Sequence, residues 1–192
     1  MPERDLFAPP GQAFEVALRS VSAARVHVSS MACAVVETAL STAVACAAER
    51  LSFGRPPLDH QGLRRGVVDV AADLEAARLL TLQGAYAIAR GEDAQIEAAP
   101  AKKVSAEMAQ RGVTACMQAM GAVGLLPRYG FDRLMTSVRI AAYVDGTTEM
   151  QSERIGAALF ERYGGSPSRP SRPVGKRPSI LDGRTGSDGS IS

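Results

Sequence analysis

The side chains with chemical potential in this 192-residue sequence gather where helical patterns stop. One set is Arg50-Leu51-Ser52-Phe53-Gly54, followed by His60 and Gln61. A second is Gln118-Ala119-Met120-Gly121-Ala122, closed by Gly124, whose small residues permit close backbone approach. The third is Tyr143-Val144-Asp145-Gly146-Thr147-Thr148-Glu149. Each set alone also has a plain structural reading. Arg50 and Gln61 suit a solvated loop, Gly121 a helix C-cap, Asp145-Gly146 a turn and Thr147 an N-cap.

Several chemistries are excluded by inventory. The two histidines, His27 and His60, do not follow a Glu by three residues, so the Glu-x-x-His pairs of a di-iron bundle are missing and no metal site is expected. There is no Gly-x-Ser-x-Gly elbow, no Gly-x-x-x-x-Gly-Lys phosphate loop and no Gly-x-Gly-x-x-Gly after a strand. Cys33, Cys46 and Cys116 are odd in number and lie in apolar stretches, which predicts buried, reduced thiols.

The elements that must position these sets read as helices. Phe14, Ala17 and Leu18 make a brief helical pattern, after which Ser20 or Ser22 is placed to cap a new helix from near Ala23. Val36, Leu40, Val44, Ala47 and Leu51 continue that helix until Phe53-Gly54 and Pro56-Pro57 stop it. Leu63, Val67, Val70, Leu74 and Ala77 predict a helix over 61–90, roughly 45 Å long at 1.5 Å per residue. A polar loop containing Pro100 follows, then a third helix from Ala101 to Met120. Phe131, Leu134, Met135 and Val138 mark a fourth, and Thr147 opens a fifth through Met150, Ile155, Leu159 and Phe160. The expected fold is all-α: an antiparallel bundle of long helices over 14–162, preceded by a linker over 1–13.

Composition agrees. Hydrophobic residues make up 46%, aromatics only 5%, and there is no Trp, so the core must be built from Ala, Val, Leu and Met, which suit close helix packing. The Gly-, Pro- and Ser-rich segment 163–192 lacks apolar content to offset its ordering entropy and is expected to be a disordered tail. That tail carries five basic and two acidic groups, so the 17 basic and 18 acidic groups of residues 1–162 nearly cancel. A core without basic surplus is not expected to bind nucleic acid. No apolar run of transmembrane length and no signal core are apparent, which predicts a cytoplasmic chain with no membrane partner.

Taken together, in this order and spacing, the three sets resemble the C-terminal helical domain of the acyl-CoA dehydrogenase family over roughly 11–160. The family's Arg-x-x-Phe-Gly falls on Arg50, Phe53 and Gly54, with its later Gln on Gln61. Its Gln-x-x-Gly-Gly-x-Gly falls on Gln118, Gly121 and Gly124, with Ala122 replacing one Gly. Its Tyr-x-Glu-Gly-Thr falls on Tyr143, Gly146 and Thr147, with Asp145 replacing Glu.

The resemblance implies an enzyme that oxidises the bond between the α and β carbons of an acyl-CoA thioester, with FAD as hydride acceptor. It implies Asp145 as the base, because the other position that some members use, just before Arg25, is Ala24. It further implies FAD contacts from Arg50, Leu51, Ser52, His60, Gln61, Gln118, Ala119, Met120, Gly121, Ala122, Thr147, Thr148 and Glu149, largely toward a neighbouring subunit's cofactor. Arg25 and Gly146 would lie beside the thioester. The implied partners are the acyl-CoA substrate and other subunits, in a homo-oligomer or a hetero-oligomer. Family enzymes carry about as much chain again before this domain, and residues 4–10 look like the linker out of it. The alternative is a non-catalytic assembly module that packs with another subunit and completes its FAD site.

Overall fold

The computed structural model describes Ala8, Pro9 and residues 11–164. The described residues form five α-helices: α1 (Ala13–Glu49), α2 (Gln61–Ala89), α3 (Gln95–Met120), α4 (Phe131–Tyr143) and α5 (Thr148–Tyr163). Short 3-10 turns occupy Pro57–Asp59, Gly121–Leu125 and Pro127–Tyr129. The tail expected to be disordered lies outside the described residues, except that Tyr163 ends α5 and Gly164 caps it with a left-handed φ of 72°. Most of the expected linker lies outside them too, and Ala13 already opens α1.

Two helix boundaries differ from expectation. Ser22 does not cap a new helix; its hydroxyl donates to the Leu18 carbonyl at 3.1 Å, so α1 runs through unbroken. Pro100 does not end a loop but sits inside α3. The carbonyl that its missing N–H leaves free belongs to the exposed Ile96, where solvent can serve it.

Cross-helix contacts set the directions. Gly84 packs against Val26 and Ala98, and Gly112 against Val36 and Val70, while Arg50 reaches Ala119. Helices α1 and α3 therefore run in parallel with α2 antiparallel to both. Thr114 reaches Met135 and Gln110 reaches Arg139, so α4 returns antiparallel to α3. Helix α3 touches each of the other four and forms the axis of the bundle.

The core is small-residue packing. Ala32, Val36, Ala39 and Ala43 of α1 recur at spacings of four and three and meet Ala109, Val113 and Cys116 of α3 beneath Leu74 and Ala77 of α2. By length and composition α1 is apolar enough to cross a membrane, which corrects the expectation from sequence. Here 39% of its most apolar window is buried, and α2, α3 and α4 pack against the helix. All three cysteines are free and buried, and burial pushes the Cys116 thiol up to about 11.

Candidate functional site

The turn between α4 and α5 is held from three sides. Asp145 and Gly146 take successive left-handed conformations, φ 54° and 91°, and Thr147 then caps α5 by accepting from the Met150 N–H at 3.4 Å. Asp is among the few side chains that tolerate that region. At Gly146 a Cβ would lie 3.0 Å from Gln151 Nε2 and 3.6 Å from Arg25 Nη2. Only glycine fits.

Three buried side chains grip the backbone there. Arg25 Nε donates to the Asp145 carbonyl at 3.0 Å. Lys102 Nζ donates to the Gly146 carbonyl, and Gln151 Nε2 donates to the same oxygen at 3.1 Å and to the Thr147 carbonyl at 3.4 Å. Lys102 and Gln151 are fully buried and Arg25 is 3% exposed. Burial lowers the Lys102 pKa, which Asp145 raises and Arg25 lowers further. Burial and then Arg154 lower that of Arg25, against the carboxylate of Asp145. Arg25 Nη1 and Gln151 Oε1 are buried without a hydrogen-bond partner among the described residues.

Asp145 itself is half-buried. It stands at the edge of an apolar groove of about 410 Å³ between α1 and α4, lined by Val28, Met31, Val35, Ile140 and Val144. Thr148 and the exposed Glu149 occupy the first turn of α5; hydrogen bonds from Glu149's own backbone N–H and from Thr147 lower the Glu149 pKa.

The second site is at the other end of the bundle. Arg50 caps α1, and its guanidinium lies over Gly121, where a Cβ would be 3.6 Å from both Nη atoms. Its one hydrogen bond, to the Ala119 carbonyl, is long at 3.5 Å, and its buried Nε has no partner among the described residues. Gln118 and Ala122 are exposed beside it and Gly121 is half-buried, while Met120 is buried in the core. Ser52 and Arg55 exchange backbone bonds of 2.8 and 3.3 Å around Phe53 and Gly54, a two-residue turn with both φ values positive. His60 fastens this turn: Arg55 donates to Nδ1 at 3.0 Å, so Nε2 carries the hydrogen and donates to the Ser52 carbonyl at 3.0 Å. Leu51, Phe53 and Gln61 are left exposed.

The residues expected to contact one cofactor thus fall into two groups. Arg25 and Arg50 share α1 but lie 25 residues apart, roughly 37 Å at 1.5 Å per residue. Asp145, Gly146, Thr147, Thr148 and Glu149 stand at the Arg25 end, and Arg50 to Gln61 with Gln118 to Ala122 at the other. Within one chain they do not meet. Lys102 and Gln151 were not singled out from the sequence. A signal existed: Lys102 interrupts the core-facing row Ala98, Ser105, Ala106 and Ala109 of α3, where a charge has no ordinary place.

The architecture is an all-α bundle with a turn gripped through its backbone carbonyls beside an apolar groove at one end, and an under-bonded guanidinium at the other. The chain belongs to the acyl-CoA dehydrogenase family, and the profile described as "Acyl-CoA dehydrogenase, C-terminal domain" matches residues 11–160. It is 30% identical over 160 residues to the short-chain specific acyl-CoA dehydrogenase of Megasphaera elsdenii, covering 83% of this chain and 42% of that protein. It is 30% identical over 163 residues to the human mitochondrial short-chain specific enzyme, covering 85% and 40%. The structure of butyryl-CoA dehydrogenase from Megasphaera elsdenii superposes with a TM-score of 0.75 at 31% identity, over 78% of this chain and 39% of that one. The chain therefore spans about two fifths of the curated relatives it matches.

Proposed function

We propose that this chain supplies the base and part of the flavin site for FAD-dependent α,β-dehydrogenation of an acyl-CoA thioester. The observation that carries this is Asp145: a carboxylate on a gripped turn, at the edge of a groove whose walls suit an acyl chain. It removes the proton α to the thioester carbonyl, a task that depends on position as much as on basicity. The clamp on its backbone limits its wander, and Val28, Met31 and Val144 offer an apolar surface against which an acyl chain can lie.

Bound FAD would supply the hydride acceptor. Arg50 fits such a group, because its guanidinium is under-bonded and the missing Cβ of Gly121 leaves room for a phosphate oxygen beside it. Leu51, Ser52, His60 and Gln61, with Gln118 to Ala122, line the same end, while Thr147, Thr148 and Glu149 offer an open helix start at the other. The roughly 37 Å between the two ends supports a cofactor shared between two copies or two subunits. That separation also favours a second reading, in which the Arg50 end completes another subunit's FAD site while Asp145 stays silent.

Asp145→Asn separates the two. The chain is co-expressed with the portion of the Megasphaera elsdenii enzyme that it does not cover, and dehydrogenation is measured beside flavin content. Asn keeps the size and the left-handed turn but loses the base, so the rate is expected to fall by about 10² to 10⁴ with flavin unchanged. Asp145→Glu lengthens the reach and is expected to keep or raise the rate. Full activity in Asp145→Asn would leave only the second reading.

A further inference from the structure

We propose that Lys102 is a positioning residue for Asp145: its interior ammonium fixes the Gly146 carbonyl and thereby the left-handed turn that aims the carboxylate. This rests on the reading of Asp145 as the base. Lys102 is fully buried, yet its hydrogen-bond acceptor is a neutral main-chain oxygen rather than a carboxylate. The Asp145 carboxylate attracts its charge without hydrogen-bonding it, and the guanidinium of Arg25, a like charge, is close enough to oppose it. For stability alone an apolar side chain of similar length would serve this place in α3 better, because burying an ammonium is costly unless its pairing is excellent.

What the ammonium does provide is geometric. The Asp145 carbonyl belongs to the peptide plane between residues 145 and 146, which Arg25 holds from α1. The Gly146 carbonyl belongs to the next plane, which Lys102 holds from α3 and Gln151 from α5. Two consecutive planes held from three helices leave the intervening dihedrals little freedom. Those dihedrals are the φ and ψ of Gly146, and the Asp145 Cα lies in the first of the two planes, so the position from which its side chain departs is held with them, although Lys102 does not hydrogen-bond the carboxylate. Asp145 sits at φ 54°, a region that Asp tolerates better than most side chains but that still costs energy the surroundings must offset. Remove one holder and the turn can relax toward ordinary dihedrals, carrying the carboxylate with it.

The test uses Lys102→Met in the full chain, which keeps most of the volume and removes the ammonium. In solution the {1H}–15N NOE of Asp145 and Gly146 is expected to drop to mobile values while amides of α1, α2 and α3 keep theirs. In the co-expressed assembly kcat is expected to fall by about tenfold or more with KM for acyl-CoA within about threefold, as misplacement of a base by about 1 Å would do. Leu74→Ala, a core change far from the turn, controls for lost stability and is expected to leave both readouts alone. If Lys102→Met does not fold, Lys102→Gln carries the same readouts, with a smaller effect because it retains N–H donors on a shorter stem. A turn as rigid as in the unmodified chain together with unchanged kcat would overturn the proposal. So would Leu74→Ala reproducing both effects. Failure of the underlying reading looks different: Asp145→Asn itself would then be fully active.

Discussion

Arg25 and Asp145 lie 120 positions apart in sequence, yet the guanidinium Nε of one donates to the main-chain oxygen of the other at 3.0 Å. This bond joins the first third of the longest helix to the last turn of the bundle. Two effects compete in it. Losing the donor leaves a half-buried carbonyl unpaired, which costs about 1 to 3 kcal/mol, but the guanidinium is itself buried with Nη1 unpartnered, so its removal relieves desolvation. Arg25→Met is expected to lose about 1 kcal/mol of unfolding free energy in urea titration. A gain in stability would mean that the buried charge costs more than its hydrogen bond contributes.

Two glycines inside helices should respond in opposite directions to alanine. Gly66 in α2 has nothing within 4 Å of the place an added methyl would take, so Gly66→Ala is expected to stabilise by about 0.5 to 1 kcal/mol through helix propensity alone. At Gly112 in α3 the same methyl would sit 3.2 Å from Val36 Cγ1 and 3.3 Å from Val70 Cγ1. Both neighbours are β-branched, buried and stiff, so overpacking of about 1 to 3 kcal/mol outweighs the propensity gain. Thermal melts of the two variants check the signs.

Cys116 makes stability depend on alkaline pH. Its thiol titrates at about 11 in the fold against 9.0 when unfolded, so between those values the unfolded chain loses its proton first. Stability is therefore whole below pH 9 and falls as pH rises toward 11, by about 2 to 3 kcal/mol at full titration. Lys102, whose pKa burial lowers beneath 10.5, acts with the opposite sign. The unfolded chain holds its proton longer there, so Lys102 adds stability as pH rises. The difference between the unmodified chain and Cys116→Ala, measured by denaturant titration at about pH 8 and about pH 10.5, isolates the cysteine. An equal pH slope in both would refute the assignment.

A cofactor shared between copies predicts complementation. Arg50→Ala and Asp145→Asn chains, each inactive alone in the assembly, would form mixed pairs containing one intact site and one doubly altered site. With random pairing half of the pairs are mixed and each of these has one of two sites intact, so co-expression is expected to restore about a quarter of the activity. No recovery would place both groups in the service of separate functions or separate partners.

Much of this protein was legible at the range of one or two helical turns. The i, i+3, i+4 rows located α2 within a residue, found α4 and α5, and marked Thr147 as a cap, because those features depend on neighbours in sequence. Ser22 and Pro100 misled because a hydroxyl that caps a helix and one that bonds back four residues look alike locally, and a proline is a stop only where its lost bond cannot be replaced. The chemistry-bearing sets around Arg50, Gln118 and Asp145 were visible as types in order. Their distribution between opposite ends of the bundle was not, nor was the convergence of Arg25, Lys102 and Gln151 on one turn. That convergence exists only because α3 runs parallel to α1 along the axis of the bundle, placing Lys102 beside a carbonyl 44 positions away. Local periodicity specifies which face of a helix is apolar; packing alone decides which distant backbone a polar group on that face will meet.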